Sequence, residues 1–214
     1  MNKNIIKSIT NFTYRVYKTN RFNDTDLDYI NDMIINSSLY LTTNYEKIID
    51  IYRQEGLNRN IVIIDGLNLS HNYNFIKRYR EVIPNIFNDV ISCILSEKCG
   101  NQAHYFFAEN ILPVMLPVIR PDMFFLIVIS RRETLNDTEY NPVSYDKNYI
   151  KCVIDCKGDD NESCYKNYNY NESDDYLIIL LYNLLKLEEY TVNGIVSQDN
   201  FKWYGKVINK YFLK

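Results

Sequence analysis

Two short runs, "IVII" at residues 61–64 and "MFFLIVIS" at residues 123–130, limit what this chain can fold into. A strand with one face in water alternates polar and apolar side chains, and neither run does. Continuous aliphatic and aromatic stretches of this length, rich in β-branched residues, are the pattern of strands covered on both faces. "YIKCVIDC" (149–156) reads as a third strand, and "NGIVSQDNF" holds a short fourth around Ile195–Ser197. Helical patterns separate them. "PNIFNDVISCILSEKCG" has Pro84 at its start, apolar Ile86, Phe87, Val90, Ile91 and Ile94, and Gly100 as its stop. A short helix is expected near His104–Glu109, and the proline-bearing "ILPVMLPVIRPD" reads as a connector. "DDYLIILLYNLLKLEEY" is apolar almost all the way round, which makes it a central helix. Strands alternating with helices predict an α/β layered fold with a mostly parallel sheet. In such sheets ligands bind beyond the carboxyl ends of the strands.

Residues 1–58 read as an N-terminal helical extension to a main domain over 59–214. Ile30, Met33 and Ile34, then Ile48, Ile49 and Tyr52, mark two amphipathic helices, capped at Asn23 or Thr25 and stopped at Gly56. With 214 residues and 46% hydrophobic content the chain has enough apolar material for a packed core. No apolar run reaches the roughly 18 residues of a membrane-spanning helix, and "MNKNIIKSITNF" lacks the apolar stretch of a secretory signal. Five cysteines (93, 99, 152, 156, 164) are an odd number without tight pairs, so a disulfide framework is not expected. With two histidines, a zinc site is not expected either. The expectation is a cytoplasmic, reducing setting and no membrane partner. A net charge of −3 gives no global attraction to polyanions, so a nucleic acid would need a local basic patch.

The acids are the chemistry-bearing feature. Asp65 ends the first strand, Asp199 follows the fourth, and Asp174 and Asp175 open the central helix, with Glu172 just before. Each alone has an ordinary structural reading: Asp-Gly is a turn signal, Ser173 or Asp174 a helix cap, "SQDN" a polar turn. In a parallel sheet, however, all three chain positions converge on one edge. Carboxylates gathered there repel one another. A divalent cation removes that conflict, and all-oxygen ligands suit Mg²⁺ or Mn²⁺. Such an ion can activate water and neutralise a phosphodiester under attack. Asn68 is placed to orient Asp65 or a bound water.

The blocks "IVIIDGLNLSH", "FFLIVISRRETL", "ESDDYLIILL" and "GIVSQDNFKWY" resemble, in order and spacing, those of PIN-like ribonucleases, most nearly the NYN/regnase branch. The resemblance spans about residues 60–205. It implies a PIN-like three-layer fold and single-strand endoribonuclease chemistry with Mg²⁺ or Mn²⁺. Carried over by position, it implies Asp65, Asp174, Asp175 and Asp199 as catalytic, metal-binding acids, with Asn68 and Ser197 in support. The chain departs from the family at Trp203, where another acid is common, and in an acidic insertion over about 157–173. For RNA contact, Lys77, Arg78 and Arg80 follow the first motif and Arg131 and Arg132 follow the second strand, where an arginine can clamp phosphate. Tyr73, Tyr79 and Trp203 are candidates for stacking on unpaired bases. The alternative of another class is a catalytically inactive PIN-like subunit that binds RNA or scaffolds an assembly, docking or self-associating through its N-terminal helices. A weaker third is a DNA- or flap-directed nuclease.

Overall fold

A computed structural model describes residues 3–19, 24–56, 58–131, 141–155 and 173–198 of the chain. Among the described residues five strands form one sheet: β1 (Asn60–Asp65), β2 (Met123–Arg131), β3 (Val143–Asp146), β4 (Tyr149–Asp155) and β5 (Val192–Val196). Their order across the sheet is β3-β4-β2-β1-β5. The β1–β2, β1–β5 and β2–β4 pairings are parallel, and only β3 runs antiparallel, against β4. The expected α/β architecture with a mostly parallel sheet is therefore present.

The apolar runs are continuous because successive residues enter different cores. Ile61 and Ile63 of β1, with Phe124, Leu126 and Val128 of β2, pack on one face; Val62 and Ile64, with Phe125, Ile127 and Ile129, pack on the other. This is the two-residue period of a strand, with both sides apolar. The first face is covered by α1 (Lys3–Thr19), α2 (Asp24–Glu55) and α8 (Ser173–Leu187). The second is covered by α3 (Gly66–Ser70), α4 (Tyr73–Arg78), α5 (Asn88–Leu95), α6 (Asn101–Phe106) and α7 (Leu112–Ile119), the last two joined by a π-helical turn at Phe107–Ile111.

The N-terminal segment differs from the expected pair of helices. Residues 24–55 form one helix, because Leu41, Tyr45, Ile48 and Tyr52 extend its buried stripe without a break. That helix shares its core with α8 and the sheet. Tyr45 Oη donates to Glu188 Oε2 at 2.9 Å, and Asn4 Nδ2 donates to Glu188 Oε1 at 3.4 Å, so one carboxylate ties α1 and α2 to the end of α8. Burial, and then the adjacent Glu188 carboxylate, push the Tyr45 phenol well above its ordinary range. Gly56 closes α2 as expected. A Cβ there would sit 2.6 Å from the Tyr52 ring and 2.7 Å from the Phe124 ring.

The stretch expected to be a connector is helical. Pro113 stands in the first turn of α7, where its missing N–H costs least. The Glu109 carbonyl, four residues back in the π-helical turn, accepts instead from Lys151 Nζ at 3.1 Å. The cysteines also depart from expectation: Cys93 and Cys99 form a disulfide. The turn after α5, with Glu97 at φ 58°, folds the chain back so that their Cα atoms lie 5.5 Å apart. Cys156 and Cys164 lie outside the described residues. No helix of the described residues is long and apolar enough to cross a membrane.

Cys152 of β4 is a free, fully buried thiol, and burial pushes its pKa up from 9.0 to about 12. A thiol whose folded pKa lies above its unfolded value supports the fold fully below about pH 9 and loses that support as pH rises through the folded value. The urea midpoint of the wild type should therefore fall between about pH 8 and pH 10.5 more steeply than that of Cys152→Ala. Equal slopes would contradict this role. In the native state the thiol should resist alkylation.

Candidate functional site

Four strand ends meet at the carboxyl edge of the parallel sheet. Asp65 is the last residue of β1 and is 3% exposed. By strand parity it follows Ile61 and Ile63 and so belongs to the α8 side of the sheet. Asp65 also caps α3, its Oδ1 accepting from the Asn68 N–H at 3.2 Å. The turn is tight because of Gly66. A Cβ at that position would lie 3.0 Å from the Val128 carbonyl oxygen and 2.9 Å from Ile129 Cγ1.

β5 ends beside it. Ser197 Oγ donates to Asp65 Oδ2 at 2.7 Å, and the Gln198 N–H donates to Asn68 Oδ1 at 2.5 Å. The two motifs that sequence spacing singles out, 132 residues apart, are thus joined by side-chain hydrogen bonds. Asn68 and Ser197 both hydrogen-bond the Asp65 carboxylate. Asn68 holds the β5 end through its side chain and Asp65 through its backbone N–H.

α8 leaves from the same edge. It follows β4 and precedes β5, both parallel members of the sheet, so it runs from the carboxyl edge to the amino edge. Its first turn, Ser173, Asp174 and Asp175, therefore stands at the edge where Asp65 ends, and all three are buried. The Ser173 carbonyl accepts from Ser37 Oγ of α2 at 2.8 Å, which fixes the start of the helix. Carboxylates in a first turn also suit the helix dipole.

Sequence reasoning passed over Ser130. It lies on β2, two residues beyond Val128, the partner of Asp65 across the β1–β2 ladder. Its parity is that of Val128, which packs on the α8 side. Its hydroxyl is fully buried and has no hydrogen-bond partner among the described residues. The signal in the sequence was a single serine at the end of an otherwise apolar strand.

Among the described residues the edge thus presents carboxylate, hydroxyl and amide oxygens. That donor chemistry fits Mg²⁺ or Mn²⁺, which bind through one or two carboxylates and keep their waters. Among the described residues no three or more His, Cys, Asp or Glu side chains form a group that could hold a metal ion. Asp199 and Arg132 lie outside the described residues, as do Glu172 and Trp203. Arg131 is the last residue of β2, at the same edge. Lys77 and Arg78 end α4 and are exposed, Arg80 opens the next turn, and Tyr73 and Tyr79 are half-buried against the core. Compared with known protein families, with curated proteins and with solved structures, the chain has no match.

Proposed function

We propose that this protein is a PIN-like, metal-dependent endoribonuclease that hydrolyses single-stranded or looped RNA. The observation that carries the reading is the convergence at one sheet edge. Buried Asp65, tied to Ser197, shares that edge with the buried first turn of α8. Asp65, Asp174 and Asp175 do not form a metal-holding group by themselves, and would hold Mg²⁺ or Mn²⁺ together with Asp199, which follows β5 in the chain. The ion, when bound, supplies an activated water and charge neutralisation at the phosphodiester. The protein's own share is positional. Ser197 and the Asn68 N–H each bond one Asp65 oxygen, which fixes the rotamer of the carboxylate. Arg131, Arg132, Lys77 and Arg78 would meet substrate phosphates at a chain whose net charge is otherwise negative.

The test is cleavage of a labelled RNA in Mn²⁺ by the wild type and by Asp65→Asn. Asparagine keeps a good helix cap, so the fold should survive. Cleavage should drop by on the order of a hundredfold or more, equivalent to about 3 kcal/mol in the barrier. Mn²⁺ should raise the melting temperature of the wild type and not that of the variant. Indistinguishable behaviour of the two proteins would end the proposal. The second reading, an inactive RNA-binding or scaffolding subunit, draws on Ile35 and Leu39, which stand exposed one turn apart on α2. It predicts no cleavage and no effect of Mn²⁺.

A further inference from the structure

We propose that His71 and His104 form a stacking platform for an unpaired nucleobase of the RNA, a subsite that rests on the ribonuclease reading above. They are the two histidines of the chain, 33 positions apart, and their rings stack with centroids 3.7 Å apart and planes 20° from parallel. His104 is the fixed layer. It is buried in α6, and its Nδ1 donates to the Ser70 carbonyl at 3.0 Å, which sets the ring plane. His71 is the exposed layer. Its backbone N–H closes α3 by donating to the Asn68 carbonyl at 3.2 Å.

The position of the pair is what gives it a use. Asp65 caps the start of α3 and His71 its end, six residues on, about 9 Å at helical rise. Through Asn68 the same short helix is bonded to Asp65 at its start, to the β5 end at its side and to His71 at its finish. α4 follows at once and carries exposed Lys77 and Arg78. In chain order the exposed ring thus follows the carboxylate that would serve the chemistry and precedes the cations that would hold the backbone. Single-strand binders combine a cationic track with ring platforms, because every base has a stacking face. Histidine is among the side chains RNA bases stack on. The platform is tolerant of sequence and favours purines through their larger stacking area.

The test measures anisotropy of a labelled oligoadenylate of about twelve nucleotides in EDTA, so that no cleavage intervenes. His71→Phe should bind within about twofold of the wild type. His71→Leu, which still covers His104 but has no π face, should bind about tenfold more weakly at an unchanged melting temperature. Oligouridylate should bind the wild type more weakly and lose less in the leucine variant. Equal binding by the leucine variant and the wild type, phenylalanine as weak as leucine, or no oligoadenylate binding by the wild type would each overturn the platform. Binding that follows this pattern without any cleavage in Mn²⁺ would remove the nuclease reading and keep the platform. Intact cleavage with an unaffected leucine variant would do the reverse.

Discussion

Phe124→Ala should cost about 3–5 kcal/mol of stability, the range for truncating a fully buried aromatic. Typical domains hold about 5–15 kcal/mol in total, so a substantial share of the variant should be unfolded at moderate urea, seen as a large fall in the midpoint. The size of the effect follows from what the ring joins. It packs edge-on against Tyr52 of α2 at 5.3 Å and lies under the Arg59 guanidinium at 5.1 Å. It also fills the space that Gly56 leaves open. Arg59 in turn donates to Asn148 Oδ1 at 2.6 Å and to the Glu55 and Lys147 carbonyls. Removing the ring therefore loosens α2, the loop into β1 and the β3–β4 turn together. A loss below about 1 kcal/mol would contradict this packing.

Gly66→Ala is expected to cost stability and function at once. The new methyl would meet the Val128 carbonyl oxygen at 3.0 Å. That backbone atom cannot swing aside as a side chain can. Overpacking of this kind costs about 1–3 kcal/mol, and relief requires the start of α3 to move off β2. Asp65 caps that helix, so its carboxylate moves as well, and under the ribonuclease activity proposed above RNA cleavage should fall more than tenfold even at temperatures where the variant stays folded. Gly100→Ala is the matched control, since a Cβ there meets nothing within 4 Å. Its stability should change by no more than about 0.5 kcal/mol. Equal effects of the two substitutions in denaturation and cleavage assays would refute the steric account.

β1 and β2 were legible because burial on both faces writes itself as an unbroken apolar run, whereas β4 and β5 are interrupted by Lys151 and Asn193 and were legible from the shorter apolar stretches beside those residues. β3 was not, because Val143, Ser144, Tyr145 and Asp146 form a short edge with one buried residue. Helix α7 was hidden by its prolines. The compensation, a lysine from β4 taking the Glu109 carbonyl, is a tertiary contact that no local pattern records. The division of α2 into two helices failed for the opposite reason, local polar residues such as Ser37 and Asn44 being buried and bonded rather than marking a break. At the site, the acidic strand and helix ends were legible, since a parallel sheet sends them to one edge. The contact of Ser197 with Asp65 follows from the same geometry. The buried Ser130 hydroxyl and the His71–His104 stack were not legible. Each depends on which side chains face each other across layers.

The β3 edge has a consequence for how copies of this protein meet. A parallel sheet ending in a bare strand would invite another chain to add itself. Here the outermost strand is four residues long and reversed in direction. Its outward Val143 carbonyl is occupied by Lys47 Nζ at 3.1 Å, and the Val143 N–H donates to Asn141 Oδ1 at 3.2 Å. A newcomer would have to evict a lysine and an asparagine side chain before making its first rung. The helix that covers the sheet also stoppers its side, and runaway ladder growth from that flank is blocked.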